Sequence, residues 1–258
     1  MSEVRAVGGP AAEGGAGAPG DERVVWVTGA GSGMGRASAL AAARAGWRVA
    51  LMGRREGRLE GVAGEIEAAG GAALVVPGDT AVTGDVEVAR DRILRTWGRI
   101  DAVVAAAGLN AKRRAFADQT MAGFDEVVAT NLGGTMRAID AALPSLRERG
   151  GTVVVISSYS AWSFVPYSGV AYSASKTALG AMTRMLNAQE AGHGIRATHL
   201  CPGDVATEFL ELRPSVPDEA ARAVMLTPDD IGRTVQFVLD SPPHVRIDEL
   251  VVSPLSQV

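Results

Sequence analysis

A tyrosine and a lysine that stand four residues apart are the side chains best placed to do chemistry in this sequence. Tyr172 is followed by Ser-Ala-Ser and then by Lys176, so the two side chains would share one face of a helix. An ammonium beside a phenol lowers the pKa of the phenol from about 10 toward neutrality. We therefore expect Tyr172 to be a general acid for a carbonyl oxygen or a base for an alcohol. The alternative is a pair on a solvated helix face.

The position of this pair in the chain favours the chemical interpretation. An apolar run ends at Ser158, fourteen positions before Tyr172, and the serine hydroxyl is expected to hold the same substrate oxygen. The other two tyrosines, Tyr159 and Tyr167, have no lysine four residues later. Residue type and position together make Tyr172 the predicted centre of the chemistry.

A glycine-rich segment near residue 30 follows the first apolar run and opens a helical stretch. Glycines let the backbone approach a pyrophosphate closely, and a helix N-terminus offers unpaired N–H groups to it. The segment predicts dinucleotide binding, whereas the alternative is a plain structural turn. Its residues are Thr28, Gly29, Ala30, Gly31, Ser32, Gly33, Met34 and Gly35.

The ends of the next two predicted strands bear on the choice of cofactor. An acid after the second strand would bind the ribose 2′-OH of NAD, but this chain has Gly53, Arg54 and Arg55 there. We therefore predict NADP, with Arg54 as the main 2′-phosphate contact and NAD as the second candidate. The alternative is that both arginines are solvated surface charges. After the third strand come Asp79 and Thr80, and the Asp79 carboxylate either accepts from the adenine amine or caps the next helix.

Short apolar runs alternate with helix-period segments from residue 23 onward, which predicts βαβ units. The fold class is therefore α/β, a doubly wound parallel sheet of the Rossmann type flanked by helices, in one domain. Ligands bind at the carboxyl ends of such strands. Strands are predicted at 24–27, 49–52, 73–76, 102–105, 153–156, 197–200 and 250–252, and helices at 34–45, 58–69, 86–97, 124–146, 174–191 and 228–239.

Composition narrows the classes of partner. The net charge is −4, which gives no electrostatic footprint for nucleic acid or an anionic membrane, and no apolar run reaches the roughly 18 residues of a membrane span. The single cysteine, Cys201, fits a reducing cytoplasm and is expected to be a small buried hydrophobe. Residues 1–22 are predicted to be a flexible tail, and residues 208–226 a lid over a small-molecule substrate. No metal site is predicted.

With its glycine segment and its Tyr172-x-x-x-Lys176 motif, the chain resembles the short-chain dehydrogenase/reductase family over roughly residues 23–253. The resemblance implies an NAD(P)-dependent oxidoreductase that moves a hydride between nicotinamide and a ketone or secondary alcohol. It implies that Ser158 is catalytic and that Asn131 holds a water in a proton relay through the lysine; the alternative is an amide satisfied by backbone. The segment that closes over the nicotinamide would be Pro202, Gly203, Val205 and Thr207.

The chain departs from the family's pattern after the fourth strand. Where the family has Asn-Asn-Ala-Gly, this sequence has Ala105, Ala106, Ala107 and Gly108. Gly108 keeps the close backbone approach, and we expect Ala106, Ala107 and Gly108 to line the cofactor site. The lost asparagine side chains are expected to weaken the bracing of the central sheet.

The substrate region is less specific. Trp162, Phe164 and Tyr167 are expected to form an aromatic pocket wall, with core packing as the alternative for Trp162. The run from Lys112 to Arg114 would attract an acidic substrate, but a solvated loop is the favoured interpretation.

The sequence leaves alternatives open for the oligomeric state and for the function. The resemblance implies a homodimer or homotetramer built on the helices predicted at 124–146 and 174–191. The rival functions are an epimerase or dehydratase on the same scaffold, and a non-enzymatic redox sensor that binds NAD(P).

Overall fold

Seven parallel strands form a single sheet in the order β3-β2-β1-β4-β5-β6-β7. A computed structural model describes residues 23–257, so the predicted tail at 1–22 lies outside the described residues. The strands are β1 (Val24–Thr28), β2 (Arg48–Gly53), β3 (Ala73–Pro77), β4 (Ala102–Ala105), β5 (Gly151–Ile156), β6 (Ile195–Pro202) and β7 (Glu249–Val252). The strand order reverses between β1 and β4, the switch point of a doubly wound sheet, where ligands bind.

Helices cover both faces of the sheet, as expected when right-handed crossovers join parallel strands. Short 3-10 turns at Pro166–Ser168, Ala191–His193 and Glu208–Leu212 link some of them. The α-helices are α1 (Gly33–Arg44), α2 (Glu56–Ala68), α3 (Thr83–Trp97), α4 (Met121–Val128), α5 (Thr135–Arg149), α6 (Tyr159–Trp162), α7 (Val170–Glu190), α8 (Glu219–Ala223) and α9 (Pro228–Leu239).

The central strands are apolar along their whole length because both of their faces are buried. In β1, Val25 and Val27 belong to one hydrophobic core, while Val24 and Trp26 belong to the core on the opposite face. Alternate residues of a strand point to opposite faces, so one strand serves two cores. The predicted α/β fold with a doubly wound parallel sheet is confirmed.

The helix predicted at 124–146 contains one π-helical turn. A π-helical turn at Ala129–Gly134 separates α4 from α5. A hydrogen-bonded side chain and a closely packed glycine position it. The Asn131 side chain bonds to the backbone of Leu109, and a Cβ on Gly134 would lie only 2.6 Å from Thr80 Oγ1. Single π turns inside α-helices often occur at functional sites. The chain is therefore helical throughout the predicted range 124–146, and the π turn within it was not predicted.

Within the described range, no helix is both long enough and apolar enough to cross a membrane.

Candidate active site

Two adjoining cavities open at the carboxyl ends of the strands. The first, called here the glycine-loop cleft, lies between the β1–α1 loop, the end of β2 and the β4 loop. The second, called the tyrosine cavity, lies between the ends of β5 and β6, the start of α7 and the segment 208–213. The two cavities meet at residues that line both: Met34, Ala106, Gly108, Thr207 and Phe209.

The structure brings most of the predicted site residues to these two cavities. The glycine-loop cleft is lined by Gly29, Gly31, Ser32, Gly33, Met34, Gly35, Arg54, Arg55, Asp79, Thr80, Ala106, Ala107, Gly108 and Thr207. The tyrosine cavity is lined by Ser158, Tyr172, Lys176, Pro202, Gly203 and Val205. Residues from the ends of six strands, β1 to β6, therefore meet in one continuous space.

Of the predicted catalytic and cofactor-binding residues, Thr28 and Asn131 line neither cavity, because both side chains are buried behind the cavity walls. Thr28 Oγ1 accepts hydrogen bonds from the backbone N–H groups of Ala106 and Ala107, each at 3.2 Å. Asn131 Oδ1 accepts from Leu109 N at 2.8 Å, and its Nδ2 donates to Leu109 O at 3.0 Å. Both side chains position the loop that follows β4.

Thr28 and Asn131 also bear on the replacement of two asparagines by Ala105 and Ala106 after β4. Thr28 and Asn131 brace the Ala106–Leu109 backbone that asparagines would otherwise help to hold. β4 keeps its pairing with β1 and with β5 through Ala105. Thr28 and Asn131 thus hold the loop after β4 without asparagines at positions 105 and 106, and the expected weakening of the sheet stays a prediction.

The glycine loop is packed so closely that side chains are disfavoured at Gly29, Gly33 and Gly35. A Cβ on Gly35 would lie 2.2 Å from the carbonyl oxygen of Gly29, and Gly33 has φ of +52° and faces Thr207. This packing turns the loop directly into α1, whose first turn carries no acidic side chain and whose N-cap, Ser32, makes no side-chain cap bond. The positive end of the α1 dipole therefore points into the cleft.

Positive charge collects at the far end of the glycine-loop cleft. Arg54 is two-thirds exposed, and its Nη1 lies 3.9 Å from Asp79 Oδ2. Arg55 lies between Ser32, whose Oγ accepts from Nη2 at 3.3 Å, and Glu208 at 3.9 Å. The Asp79 carboxylate accepts from Ala81 N at 2.9 Å, while the N-cap of α3 is Val82. The helix-capping alternative for Asp79 is therefore wrong, and this carboxylate lines the cleft.

Tyr172 lines the tyrosine cavity from the first turn of α7 and is partly buried. Burial raises the pKa of Tyr172, while its hydrogen bond to Ser158 and the positive charges of Arg114 and Arg213 act in the opposite direction. The predicted fall of the Tyr172 pKa toward neutrality is wrong for this arrangement, because desolvation of the phenolate outweighs the nearby cations. The phenol is therefore protonated at neutral pH and ready to donate.

Lys176 is buried beneath the tyrosine on the same face of α7. Its Nζ lies 5.8 Å from the centre of the Tyr172 ring and donates to Ile156 O, the last carbonyl of β5, at 2.9 Å. Burial lowers the pKa of Lys176 to about 8. The lysine is thus anchored by the end of the strand that also positions Ser158.

The aromatic residues between β5 and α7 divide between the cavity and solvent. Tyr159 and Tyr167 line the tyrosine cavity. Trp162 is 53% exposed and packs against Tyr159 with ring centroids 5.2 Å apart, and Phe164 is 87% exposed. Of the three residues predicted to form an aromatic wall, only Tyr167 lines the cavity. Trp162 and Phe164 face solvent, so core packing of Trp162, the alternative, is wrong as well.

Several residues of the tyrosine cavity were not predicted from the sequence. Phe209 stacks at a tilt near Tyr172, with ring centroids 6.0 Å apart, and Arg213 forms an ion pair with Asp204. Arg114 is buried, whereas the favoured interpretation placed it with Lys112 and Arg113 on a solvated loop. Nothing in the basic run 112–114 distinguishes Arg114 from its two exposed neighbours, so its burial could not be predicted from the sequence. Phe209 and Arg213 lie in the region predicted to be a lid, whose contacts depend on the fold.

Cys201 is buried, as predicted, on β6 behind the tyrosine cavity. Burial raises the pKa of its thiol to about 12, so it is protonated at neutral pH. Its Sγ lies 3.5 Å from His199 Nδ1, and that nitrogen is also 2.9 Å from Glu249 Oε2. The thiol therefore packs as a small side chain beside a hydrogen-bonded histidine.

Comparison with known proteins now decides the family. Residues 23–216 match the family model described as short chain dehydrogenase. The chain belongs to the short-chain dehydrogenase family. It is therefore an oxidoreductase by family, and the resemblance drawn from its glycine segment and its Tyr172–Lys176 pair is confirmed.

Curated relatives of this short-chain dehydrogenase differ in length. An uncharacterized oxidoreductase of Staphylococcus aureus (strain N315) is 31% identical over 91% of this chain and 98% of its own. Glycine betaine reductase of Emericella nidulans is 32% identical over 90% of this chain. The short-chain dehydrogenase spans only 19% of the length of that protein, about a fifth.

Solved structures share the fold closely. An alcohol dehydrogenase from the archaeon Thermococcus sibiricus, complexed with 5-hydroxy-NADP, is 32% identical, with a TM-score of 0.84 over 92% of this chain and 99% of its own. The closed form of a serine dehydrogenase complexed with NADP+ is 28% identical, with a TM-score of 0.83 over 91% of this chain and 96% of its own.

Proposed function

We propose that this short-chain dehydrogenase uses NADPH to reduce a ketone to a secondary alcohol, with Tyr172 as the general acid. The observation that carries the proposal is the position of the protonated Tyr172, which lines the tyrosine cavity together with Ser158 and Lys176, next to the glycine-loop cleft. In the reaction the carbonyl carbon gains a hydride, its oxygen gains the tyrosine proton, and NADPH is oxidised to NADP+.

The glycine-loop cleft has the shape and charge that a dinucleotide needs. The close packing of Gly35 on Gly29 leaves the loop backbone bare toward the cleft, and the N-terminus of α1 offers N–H groups to a pyrophosphate. NADPH, when bound, supplies the hydride. The solved relatives named above carry NADP or its 5-hydroxy derivative, which supports the same assignment here.

Arg54 and Arg55 give the cleft its proposed preference for NADP over NAD. Both line the cleft at the end of β2, where a 2′-phosphate would lie, and no acidic residue directly follows that strand. Arg54 is the main contact, since its nearest carboxylate is 3.9 Å away and its guanidinium is open to a ligand. Arg55, already bonded to Ser32, is the second contact.

The residues around Tyr172 have separate tasks in this proposal. Ser158 and Tyr172 hold the substrate oxygen, and Tyr172 donates its proton to that oxygen as the hydride arrives. Lys176, itself buried, places a positive charge behind the phenolate that forms and so stabilises it. Asn131 holds the Leu109 backbone and, through Nδ2, Ser175 Oγ at 3.1 Å, so we assign it a positioning task beside the relay lysine.

Turnover of a ketone panel tests this function directly. Purified enzyme with NADPH is mixed with neutral and acidic ketones, and NADPH oxidation and alcohol formation are both followed. We expect one alcohol formed for each NADPH oxidised. Product without any net change in the nicotinamide would indicate an epimerase or dehydratase. Tight NADPH binding without turnover of any ketone would indicate a redox sensor.

We also propose that the enzyme is a homodimer or homotetramer, located in a reducing cytoplasm. Large apolar side chains, Met136 on α5 and Met185 on α7, are about half exposed on the helices predicted to form the interface. Sedimentation velocity should show a dimer or larger species, and Met185→Glu should shift it toward monomer. A wild-type protein that sediments as a monomer would contradict the assembly.

A further inference from the structure

A buried arginine lines the tyrosine cavity without a carboxylate of its own. Arg114, on the loop after β4, is only 9% exposed. Its Nε donates to Ala111 O at 2.8 Å and its Nη2 to Leu212 O, both of which are neutral backbone acceptors. Among residues 23–257, no aspartate or glutamate forms an ion pair with it. A buried guanidinium remains charged, so its burial is costly unless something supplies a counter-charge.

The fold places this guanidinium next to the start of the catalytic helix. A Cβ on Gly169 would lie 2.6 Å from the Cβ of Arg114, so only glycine at this position lets the arginine pack there. Gly169 immediately precedes α7, three residues before Tyr172. The charge of Arg114 acts on Tyr172 and lowers the pKa of the phenol, against the larger effect of burial. Arg114 and the proposed proton donor therefore face the same space.

The charges that line the tyrosine cavity do not balance. Its cationic side chains are Lys176, Arg114 and Arg213, and its one carboxylate, Asp204, is paired with Arg213. Lys176 is directed at the end of β5 beneath Tyr172. Two of these positive charges, those of Lys176 and Arg114, have no carboxylate partner in the cavity. Because Lys176 lies beneath Tyr172, Arg114 is the one of the two that can meet an anionic group of a bound substrate.

We infer that the substrate is an oxo acid, or the corresponding hydroxy acid, whose carboxylate binds Arg114 while its carbonyl oxygen faces Tyr172 and Ser158. A single unbalanced guanidinium matches a monoanionic carboxylate better than a dianionic phosphate, and a guanidinium fork suits carboxylate geometry. This inference rests on the proposed function, because it assigns the substrate class of the same site.

Matched pairs of substrates test the inference on the wild-type enzyme. Pyruvate, acetoacetate and 4-oxopentanoate differ in the spacing between carbonyl and carboxylate, and the methyl ester of each keeps the carbonyl but removes the charge. We expect at least one acid to exceed its ester in kcat/KM by about tenfold or more, mainly through a lower KM, since a charged hydrogen bond is worth that much.

Variants of Arg114 then show whether this residue is responsible. Arg114→Met should raise KM for the preferred acid about tenfold or more beyond any change it causes in KM for the ester. Arg114→Lys keeps the charge but loses the guanidinium fork, so its KM for the acid should lie between those of the wild type and Arg114→Met. Arg113→Met is the control, because Arg113 is an exposed neighbour outside the cavity and should behave like the wild type.

The outcomes separate this inference from the proposed function. Equal kcat/KM for every acid and its ester, or equal losses for acid and ester in Arg114→Met, would overturn the inference and leave the reductase intact. Absence of turnover with every ketone, neutral or acidic, would overturn the proposed function and the inference that rests on it. Because the acid–ester comparison is made on the wild type, it holds even if Arg114→Met fails to fold.

Discussion

The two cavities of this short-chain dehydrogenase differ in how far their charged side chains are exposed to solvent. In the glycine-loop cleft the charged side chains lie near solvent, as Arg54 and Arg55 do at the end of β2. In the tyrosine cavity Lys176 and Arg114 are both more than nine-tenths buried. An exposed charge costs little to place and adds modest binding energy, whereas a buried charge has a strongly shifted pKa and needs a specific partner.

This difference suits the two tasks that we propose. A dinucleotide is long and is held by many weak contacts to backbone and surface charges, so the cleft that takes it can remain open. Proton transfer to a carbonyl oxygen requires a dry site in which Tyr172 is protonated and the phenolate that forms is stabilised. The difference is best tested by a substitution that is expected to abolish the task of one cavity while the other cavity keeps its own.

Tyr172→Phe should separate the cavities with the largest effect. Loss of the proton donor should lower kcat for ketone reduction about a thousandfold, while the Kd for NADPH, measured by nicotinamide fluorescence, should change less than about threefold, since the cleft itself is unaltered. An enzyme that keeps more than about a tenth of its kcat would refute Tyr172 as the general acid and remove the proposed division of tasks.

Lys176→Met should reveal the free energy stored by burying a charge in the tyrosine cavity. Because burial lowers the pKa of Lys176 from 10.5 to about 8, the unfolded chain binds more protons between these values. The unfolding free energy of the wild type should therefore rise, relative to the variant, by about 2 kcal/mol from about pH 7 to about pH 9.5. Urea unfolding at both pH values measures it.

Two other results would complete this test. Parallel pH dependence in wild type and Lys176→Met would show that the lysine is not desolvated as described. Lys112→Met, which removes an exposed lysine, is the matched control and should follow the wild type at both pH values.

Gly35→Ala should weaken the other cavity. A Cβ at this position would lie 2.2 Å from Gly29 O, so the loop must shift, and we expect the Kd for NADPH to rise about tenfold or more. In Gly61→Ala, on α2, the added Cβ meets open space, and this control should bind normally and unfold at the same or a slightly higher temperature. Unchanged NADPH binding in Gly35→Ala would break the link between loop shape and the cofactor.

The same contrast explains what could be predicted from the sequence. The strands and the glycine segment follow from local patterns, because the residues that carry them are neighbours in the chain. The roles of Asp79 and Trp162 could not be decided from the sequence. The hydrogen bond of Asp79 to Ala81 and the exposure of Trp162 both depend on the conformation of loops. Arg114 was misplaced, since its burial depends on Gly169 and Leu212, which lie far along the chain.

The direction of the Tyr172 pKa shift could not be read from the sequence for the same physical reason. Spacing places Lys176 on the same helical face, but the sign of the shift depends on how much water reaches the phenol. The π turn at Ala129–Gly134 likewise depends on Asn131 reaching Leu109 and on Gly134 packing against Thr80. Contacts between distant segments set both properties.

An equilibrium titration with NADPH and with NADH, followed by nicotinamide fluorescence, tests the central claim that the glycine-loop cleft binds NADP. We expect NADPH to bind at least about tenfold more tightly than NADH, with most of that preference lost in Arg54→Ala and retained in Arg92→Ala, an exposed arginine on α3. Tighter binding of NADH would refute the 2′-phosphate contact, and failure to bind either cofactor would contradict the account of the cleft.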